Sequence, residues 1–315
     1  MKKDTSTYNH YKEAVIGAAI DIAKEDDKVV FLDADLSSCI GSTAFQKEFP
    51  NRFFNVGIAE ANLVGVASGM SSVGLVPFIH SFGCFASRRD YDQLFISVGY
   101  AKQRVIVIGS DPGITAQYNG GTHMPFEDIA LFRQIPDFII VEPSDGQSLY
   151  DLTWQCYKSG KSAYIRTPRK SIVHRYTLDD KIELGKGIEL ASGEDVALVA
   201  TGAVMVDAAI EAKEILEKDG IKATVVDLHT IRPLDEELIL KVAERCKKMV
   251  VMENGRYAGG VGEMIAGLLA SKMPTKMAFL NVGERFGEVG NLKYLKDAFG
   301  FTGENAAKIA KDLIG

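Results

Sequence analysis

Neither a cysteine pair at metal-ligand spacing nor a long apolar run occurs in this chain. Its four cysteines, Cys39, Cys84, Cys156 and Cys246, are scattered and form no CxxC. That argues against a zinc site and a disulfide framework, and reads as buried or half-buried thiols in a reducing compartment. No apolar stretch reaches the roughly 18 residues of a membrane span. The start, Met1-Lys2-Lys3-Asp4, carries no apolar leader segment. A soluble, cytoplasmic protein with no membrane partner is expected. Positive charge is not in excess either: 36 Lys and Arg stand against 42 Asp and Glu, a net charge of −6. Nothing calls for a nucleic-acid partner. Internal repeats and low-complexity tracts are missing. What is present is a chain of 315 residues with 46% hydrophobic content, enough for two ordinary domains with full cores.

Short apolar runs alternate with helix-period segments up to about residue 176. Val29 to Asp35, Phe53 to Val56, Val76 to His80, Val105 to Gly109, Phe138 to Val141 and Ala163 to Arg166 read as strands. Tyr11 to Lys24, Ala61 to Met70, Asp90 to Lys102 and Gly146 to Lys158 read as helices. Strands rich in Val, Ile and Phe without polar alternation predict a mainly parallel sheet covered on both faces. A polar, turn-rich stretch over 177–192 reads as a linker. A second unit over 193–315 then runs strand Val196 to Ala200, helix Met205 to Lys218, strand Ala223 to Leu228, helix Asp235 to Cys246 and strand Met249 to Met252. A helix from about Gly262 to Ser271 and a strand near Phe279 complete it. The expected class is α/β, with two three-layer α/β/α domains.

Several side chains stand out within this frame. Glu60 opens an apolar, small-residue helix and sits among Ile58, Leu63, Val64 and Val66. A carboxylate buried there needs a partner or a proton. Such surroundings suit a carboxyl group that shares a proton with a ligand at neutral pH. The alternative is a surface Glu in a first helical turn, favoured by the helix dipole. Phe82 and Phe85 flank Gly83-Cys84, as core aromatics or as a stacking surface. His123, one of only five histidines, follows Gly120-Gly121 in a loop that can approach a ligand. Asp33 and Asp35 end the first main strand, where acids suit a ligand crevice or a helix N-cap. Gly259-Gly260-Val261-Gly262 lacks the third glycine of a dinucleotide fingerprint, since Ile265 takes that place. It reads as a close strand-to-helix turn.

The words Asn55-Val56-Gly57-Ile58-Ala59-Glu60-Ala61-Asn62 resemble the thiamine diphosphate enzymes of the transketolase superfamily, in their pyrimidine-binding and C-terminal domains. The resemblance covers nearly the whole chain. It implies that Glu60 hydrogen-bonds the aminopyrimidine ring and so drives deprotonation of the thiazolium carbon. It further implies that Phe85, or next Phe82, stacks on that ring, and that Ile58 and Asp35 lie near the cofactor. Arg89, in a run similar to the family's "RAYDQ", would support the site from behind. Asn119-Gly120-Gly121-Thr122-His123 resembles the "DGxTHQ" loop, so His123 would meet the substrate with Asn119 beside it. Tyr164-Ile165-Arg166 resembles a strand whose Arg grips a sugar phosphate, and Lys12 falls near another phosphate-binding position. Three residues depart from the family pattern: Asn119 stands for Asp, Met124 for Gln and Asp111 for His.

The family's GDG metal motif, which belongs to the diphosphate-binding half, does not occur in this sequence. The resemblance therefore points to the C-terminal subunit of a split transketolase (a glycolaldehydetransferase). It implies a separate N-terminal subunit, an α2β2 assembly, and magnesium or calcium held by that partner. A deoxyxylulose phosphate synthase-like enzyme and the beta subunit of a 2-oxoacid dehydrogenase are the alternatives within the cofactor class. A non-catalytic regulatory subunit is the alternative outside it. Such a subunit has no physical need to keep Glu60, His123 and Arg166 together.

Overall fold

The computed structural model describes residues 3–315; Met1 and Lys2, part of the start read above, lie outside the described residues. The chain divides into two compact units. The first runs to Pro112 and resumes over Leu131–Leu184; the second is Gly113–Ala130 with Gly185–Gly315.

Six strands build the sheet of the first unit: β1 (Val29–Asp33), β2 (Phe53–Asn55), β3 (Val76–Phe82), β4 (Ile106–Ser110), β5 (Ile139–Val141) and β6 (Ala163–Thr167). Their order is β5-β6-β4-β3-β1-β2, and every neighbouring pair is parallel. All residues of β1, β3, β4, β5 and β6 are buried, as strands covered on both faces must be. From β1 the chain steps outward to β2 and then returns to place β3 on the other side of β1. Strand order therefore reverses between β1 and β3, the place where an open α/β sheet offers a ligand site beyond the carboxyl ends of its strands. Helices Tyr11–Glu25 and Gly146–Lys158 pack together, pinned by the Tyr150 hydroxyl on Asp21 (3.0 Å) and the Tyr11 hydroxyl on the Ser144 carbonyl (2.9 Å).

The second unit has a five-stranded sheet. Its strands are β7 (Ile188–Ala191), β8 (Val196–Ala200) and β9 (Ala223–Asp227), then, after the short β10 (Thr230–Arg232), β11 (Lys248–Met252) and β12 (Lys276–Leu280). The order is β12-β11-β8-β9-β7, parallel except for β7 against β9. The expected mixed α/β class with mainly parallel sheets is thus observed in both units.

Several details differ from the sequence expectation. The stretch 177–192 contains a strand, β7, which closes the sheet edge. Helix Asp90 to Lys102 is largely π-helical over Gln93–Tyr100. Two C-terminal helices, Leu292–Phe299 and Gly303–Ile314, were not anticipated. The second of them buries Ala306, Ala307, Ala310 and Leu313 and packs on the helix Gly202–Lys218. Residues 113–130, expected in an unbroken first domain, group with the second unit. Gly113 lies so close to Asn254 that a Cβ there would stand 2.1 Å from its Oδ1, and the Ile114 amide donates to the same oxygen at 3.1 Å. Met124 and Phe126 join the apolar core of that unit. Among the described residues, no helix is long and apolar enough to cross a membrane.

Candidate active site

At the reversal point of the first sheet stand the carboxyl end of β3 and the start of the helix Glu60–Ser72. β3 runs two residues beyond its expected end, so His80, Ser81 and Phe82 all lie at its carboxyl tip. Gly57 makes the turn before the helix with φ +76°, a left-handed conformation that glycine tolerates without strain. Glu60 is the first helical residue and only 1% exposed. Ser81 donates its hydroxyl to Glu60 Oε1 at 3.0 Å, and Arg89 donates from Nη1 to Oε2 at 2.8 Å. Both carboxyl oxygens are thereby oriented. Arg89 also lies over the Phe85 ring, Cζ to centroid 3.9 Å, while Phe85 stands 6.2 Å from Phe82. Glu60, Arg89, Phe85 and Phe82 are thus brought together. Ser81 was not singled out in the sequence. Ile58, two residues before Glu60, is 75% exposed.

Asp33 and Asp35 separate into two roles. Asp33 is fully buried, accepts the Leu36 amide, and holds His80, whose Nδ1 is 3.1 Å away; His80 Nε2 reaches Ser110 Oγ at 3.0 Å. This buried link ties the ends of β1, β3 and β4. Asp35 is exposed, has φ +63°, and accepts a hydrogen bond from Asn55 at 3.0 Å. It is the acid available to a ligand.

One expectation is corrected. Arg166 is fully buried and paired with Glu142 at 2.5 Å, so it does not reach out to a sugar phosphate. Its guanidinium is committed to the buried Glu142 carboxylate instead. Arg169 lies three positions on, past the strand's end. Its Nε and Nη2 donate to Asp111 Oδ2 at 2.8 and 2.5 Å, and its Cζ is 4.9 Å from the Phe82 ring centroid. The rule that ligands gather beyond strand carboxyl ends could have found it. Lys12 is adjacent, since its amide donates to the Arg169 carbonyl at 3.2 Å.

Asn119 and His123 belong to the second unit. Asn119 is exposed and His123 half-buried, its Nδ1 2.8 Å from Thr122 Oγ1. The loop needs its glycines for room as well as turning: a Cβ on Gly121 would stand 2.4 Å from the Gly287 carbonyl oxygen. In the same unit, the Gly259–Gly262 segment is a strand-to-helix turn. The Glu253 carboxylate accepts the Val261 and Gly262 amides at 2.8 and 2.9 Å, taking the place an external phosphate would occupy.

Beside Arg89, Asp90 is fully buried and neither of its oxygens has a hydrogen-bond partner among the described residues. Burial above all, and the nearby Glu60 charge, push its carboxyl well above the usual range. A carboxyl group raised in the folded state favours folding fully only below its unfolded value, and that contribution is lost as pH climbs through the folded value. Asp90→Asn is therefore expected to melt about 2–4 °C above the parent chain at pH 8 and level with it near pH 4. Thermal melts of both proteins at the two pH values check this, and equal melting at pH 8 counts against it. Burial also pushes the Cys84 and Cys156 thiols up to about 12, which leaves them unreactive at neutral pH. Among the described residues, no group of three or more His, Cys, Asp or Glu is placed to hold a metal ion.

Comparison with known proteins bears on this arrangement. Residues 9–173 match the family model "Transketolase, pyrimidine binding domain" and residues 185–305 match "Transketolase, C-terminal domain". A 6-deoxy-6-sulfo-D-fructose transketolase subunit, SqwH, from Clostridium sp. (strain MSTE9) is 40% identical over 96% of this chain and 94% of its own length. A 1-deoxy-D-xylulose-5-phosphate synthase from Heliobacterium modesticaldum is 32% identical over 96% of this chain, which spans 47% of that enzyme. A solved split-gene transketolase, an inactive β4 tetramer, superposes with a TM-score of 0.88 at 33% identity, covering 97% of this chain and 98% of that one.

Proposed function

The chain belongs to the transketolase family, and on that premise we propose that it is one subunit of a split, thiamine diphosphate-dependent transketolase. The reaction is transfer of a two-carbon ketol unit from a ketose to an aldose acceptor. The observation that carries this reading is the buried Glu60 carboxylate, oriented by Ser81 and Arg89 beside the Phe85 ring. A carboxylate that is 1% exposed, next to an aromatic face and an exposed Ile58, suits a flat, polar-edged heterocycle.

Bound thiamine diphosphate supplies the carbon nucleophile that carries the ketol unit between donor and acceptor. Glu60 would hold the aminopyrimidine edge and manage a proton there at a carboxyl oxygen. Phe85, with Phe82 behind it, would offer a stacking surface, and Asp35 and Ile58 would border the cofactor. Arg89 keeps Glu60 in place. Asn119 and His123 would serve the sugar's hydroxyl groups, and Arg169 with Lys12 its charged end. Mg2+ or Ca2+ would be held by a separate N-terminal subunit in an α2β2 assembly. The inactive state of the structural relative as a β4 tetramer supports that need for a partner.

Two relatives support different donors. The SqwH similarity favours a sulfonated ketose; the synthase similarity favours a phosphorylated sugar. Co-expression with an N-terminal subunit, followed by thiamine-dependent cleavage of sulfonated and phosphorylated ketoses against pyruvate, separates them. Ketose cleavage is the expected result, and turnover of pyruvate alone would overturn the transketolase assignment. In the same complex Phe85→Ala is expected to weaken thiamine diphosphate about tenfold through lost stacking and contact area. Calorimetric titration reads that change, and an unaltered affinity would remove Phe85 from the cofactor surface.

A further inference from the structure

The loop that carries His123 is held at both ends by the second unit. The ends are joined to each other, the Gly113 amide donating to the Pro125 carbonyl at 3.2 Å. The turn after β11 then grips each of them. Asn254 Oδ1 accepts the Ile114 amide at 3.1 Å, and the Arg256 amide donates to the Phe126 carbonyl at 2.8 Å. Against the middle of the loop lies the segment 283–290, and glycines let the two backbones approach. A Cβ on Gly287 would stand 2.5 Å from Met124 Sδ and 2.7 Å from Gly121 Cα, and one on Gly120 would stand 2.8 Å from Val289 Cγ2. Arg256 reaches this segment as well: its Nη1 donates to the Gly283 carbonyl at 3.1 Å and its Nη2 to the Arg285 carbonyl at 3.0 Å. One residue thus bonds the loop through its backbone and the covering segment through its guanidinium. Gln117, within the loop, has φ +51° and ψ −122°, a backbone that a non-glycine residue keeps only where its surroundings over-determine it.

We propose that Arg256 and Gly287 are positioning residues of the reaction: they clamp the loop so that His123 meets the sugar in one fixed place. The proposal rests on the transketolase reading, in which His123 serves the sugar's hydroxyl groups. The His123 amide donates to the Gly120 carbonyl at 3.0 Å, so the packing of Val289 and Gly287 on the two loop glycines is felt directly at His123. A contact between glycine backbones leaves no flexible side chain to give way. The planar guanidinium adds two charge-assisted bonds in a rigid fork, which fixes the covering segment relative to the loop's end. Such precision matters, because a displacement of about 1 Å in a substrate-facing group can cost a reaction about a hundredfold. Neither residue needs to touch a reacting atom; each acts through His123. Residues 113–130 follow the first sheet in sequence but belong to the second unit. That unit is thereby given a part in handling the substrate, beyond completing the fold.

The test uses the complex with its N-terminal subunit and three ketol donors: 6-deoxy-6-sulfofructose, fructose 6-phosphate and xylulose 5-phosphate. For the donor that the wild type cleaves, Arg256→Met is expected to lower kcat/KM about tenfold or more. Its affinity for thiamine diphosphate should stay within about twofold, since Glu60 and Phe85 lie in the first unit. Gly287→Ala should act likewise, and Arg256→Lys, which keeps a cationic donor, should recover part of the loss. In a His123→Ala background the same Arg256→Met change should alter kcat/KM by less than about twofold, because nothing is left to position. Hydrogen exchange should open the amides of 117–124 about tenfold faster in Arg256→Met and leave those of the helix Gly202–Lys218 unchanged. Equal losses with and without His123 overturn the proposal, as does unaltered exchange over 117–124. Cleavage of none of the three donors by the wild-type complex overturns the transketolase reading itself, and the proposal with it. Should Arg256→Met fail to assemble, Gly287→Ala is measured in its place; should His123→Ala show no rate, His123→Gln replaces it under the same criteria.

Discussion

Glu60→Gln is expected to lower turnover of the assembled enzyme by about a thousandfold or more while leaving the fold intact. The argument is one of charge and shape. Gln keeps the length of Glu, and its amide oxygen can still accept from Arg89 while its NH2 group donates to the Ser81 hydroxyl oxygen, at the positions where Glu60 meets them at 2.8 and 3.0 Å. Its amide cannot take up or release a proton at neutral pH. Structure should survive because the helix Glu60–Ser72 is anchored by Leu63, Val64 and Ala67, all fully buried. Glu60→Ala should be equally inactive and less stable, since it also leaves a void and strips Arg89 of its carboxylate. Circular dichroism and melting would report the fold. Deuterium exchange at the thiazolium carbon, followed by proton NMR, would report proton handling without relying on sugar turnover. Exchange at the normal rate in Glu60→Gln would mean that another group manages the proton.

The second large effect concerns the chain in isolation. Without an N-terminal subunit it is expected to catalyse no ketol transfer and to bind thiamine diphosphate at least a hundredfold more weakly than the complex, about 2.8 kcal/mol. This chain offers the diphosphate end little: among the described residues no carboxylate and histidine cluster can hold a divalent ion, and the helix N-terminus at Val261 is already occupied by Glu253. Metal-bridged phosphate contacts are strong, charge-assisted interactions, so their loss dominates over the stacking and hydrogen bonds that Glu60 and Phe85 would retain. Titration calorimetry of the chain, then of the chain with its partner and Mg2+ or Ca2+, measures the difference. Equal affinities, or ketol transfer by this polypeptide alone, would defeat the split-subunit proposal.

How much of this was legible in the amino-acid order depends on the range of the signal. Apolar runs such as Val29–Asp33 and Ile106–Ser110 announce strands buried on both faces, because a parallel sheet needs no polar alternation. Glu60 could be singled out for a local reason: a lone carboxylate at the head of an apolar helix demands an explanation wherever it is found. Arg166 shows the opposite case. Its motif looked functional, yet its position inside β6 commits it to a buried pair with Glu142. Residues 113–130 follow β4 without any compositional break, and only their packing on Asn254 and in the second core assigns them to that unit. The helix Gly303–Ile314 was missed although its buried positions repeat at helical spacing.

Amino-acid order by itself determined where the chain forms strands and helices, which carboxylate is out of place, and that this sequence carries no GDG metal motif. Those are properties of short segments, set by side-chain periodicity and by the cost of burying charge. Only the tertiary structure decided which side chains meet: Ser81 and Arg89 on Glu60, His80 between Asp33 and Ser110, and Asp111 on Arg169. Each of these contacts joins residues far apart in the chain. They become neighbours because parallel strands bring their carboxyl ends to one edge, and no local pattern records that alignment.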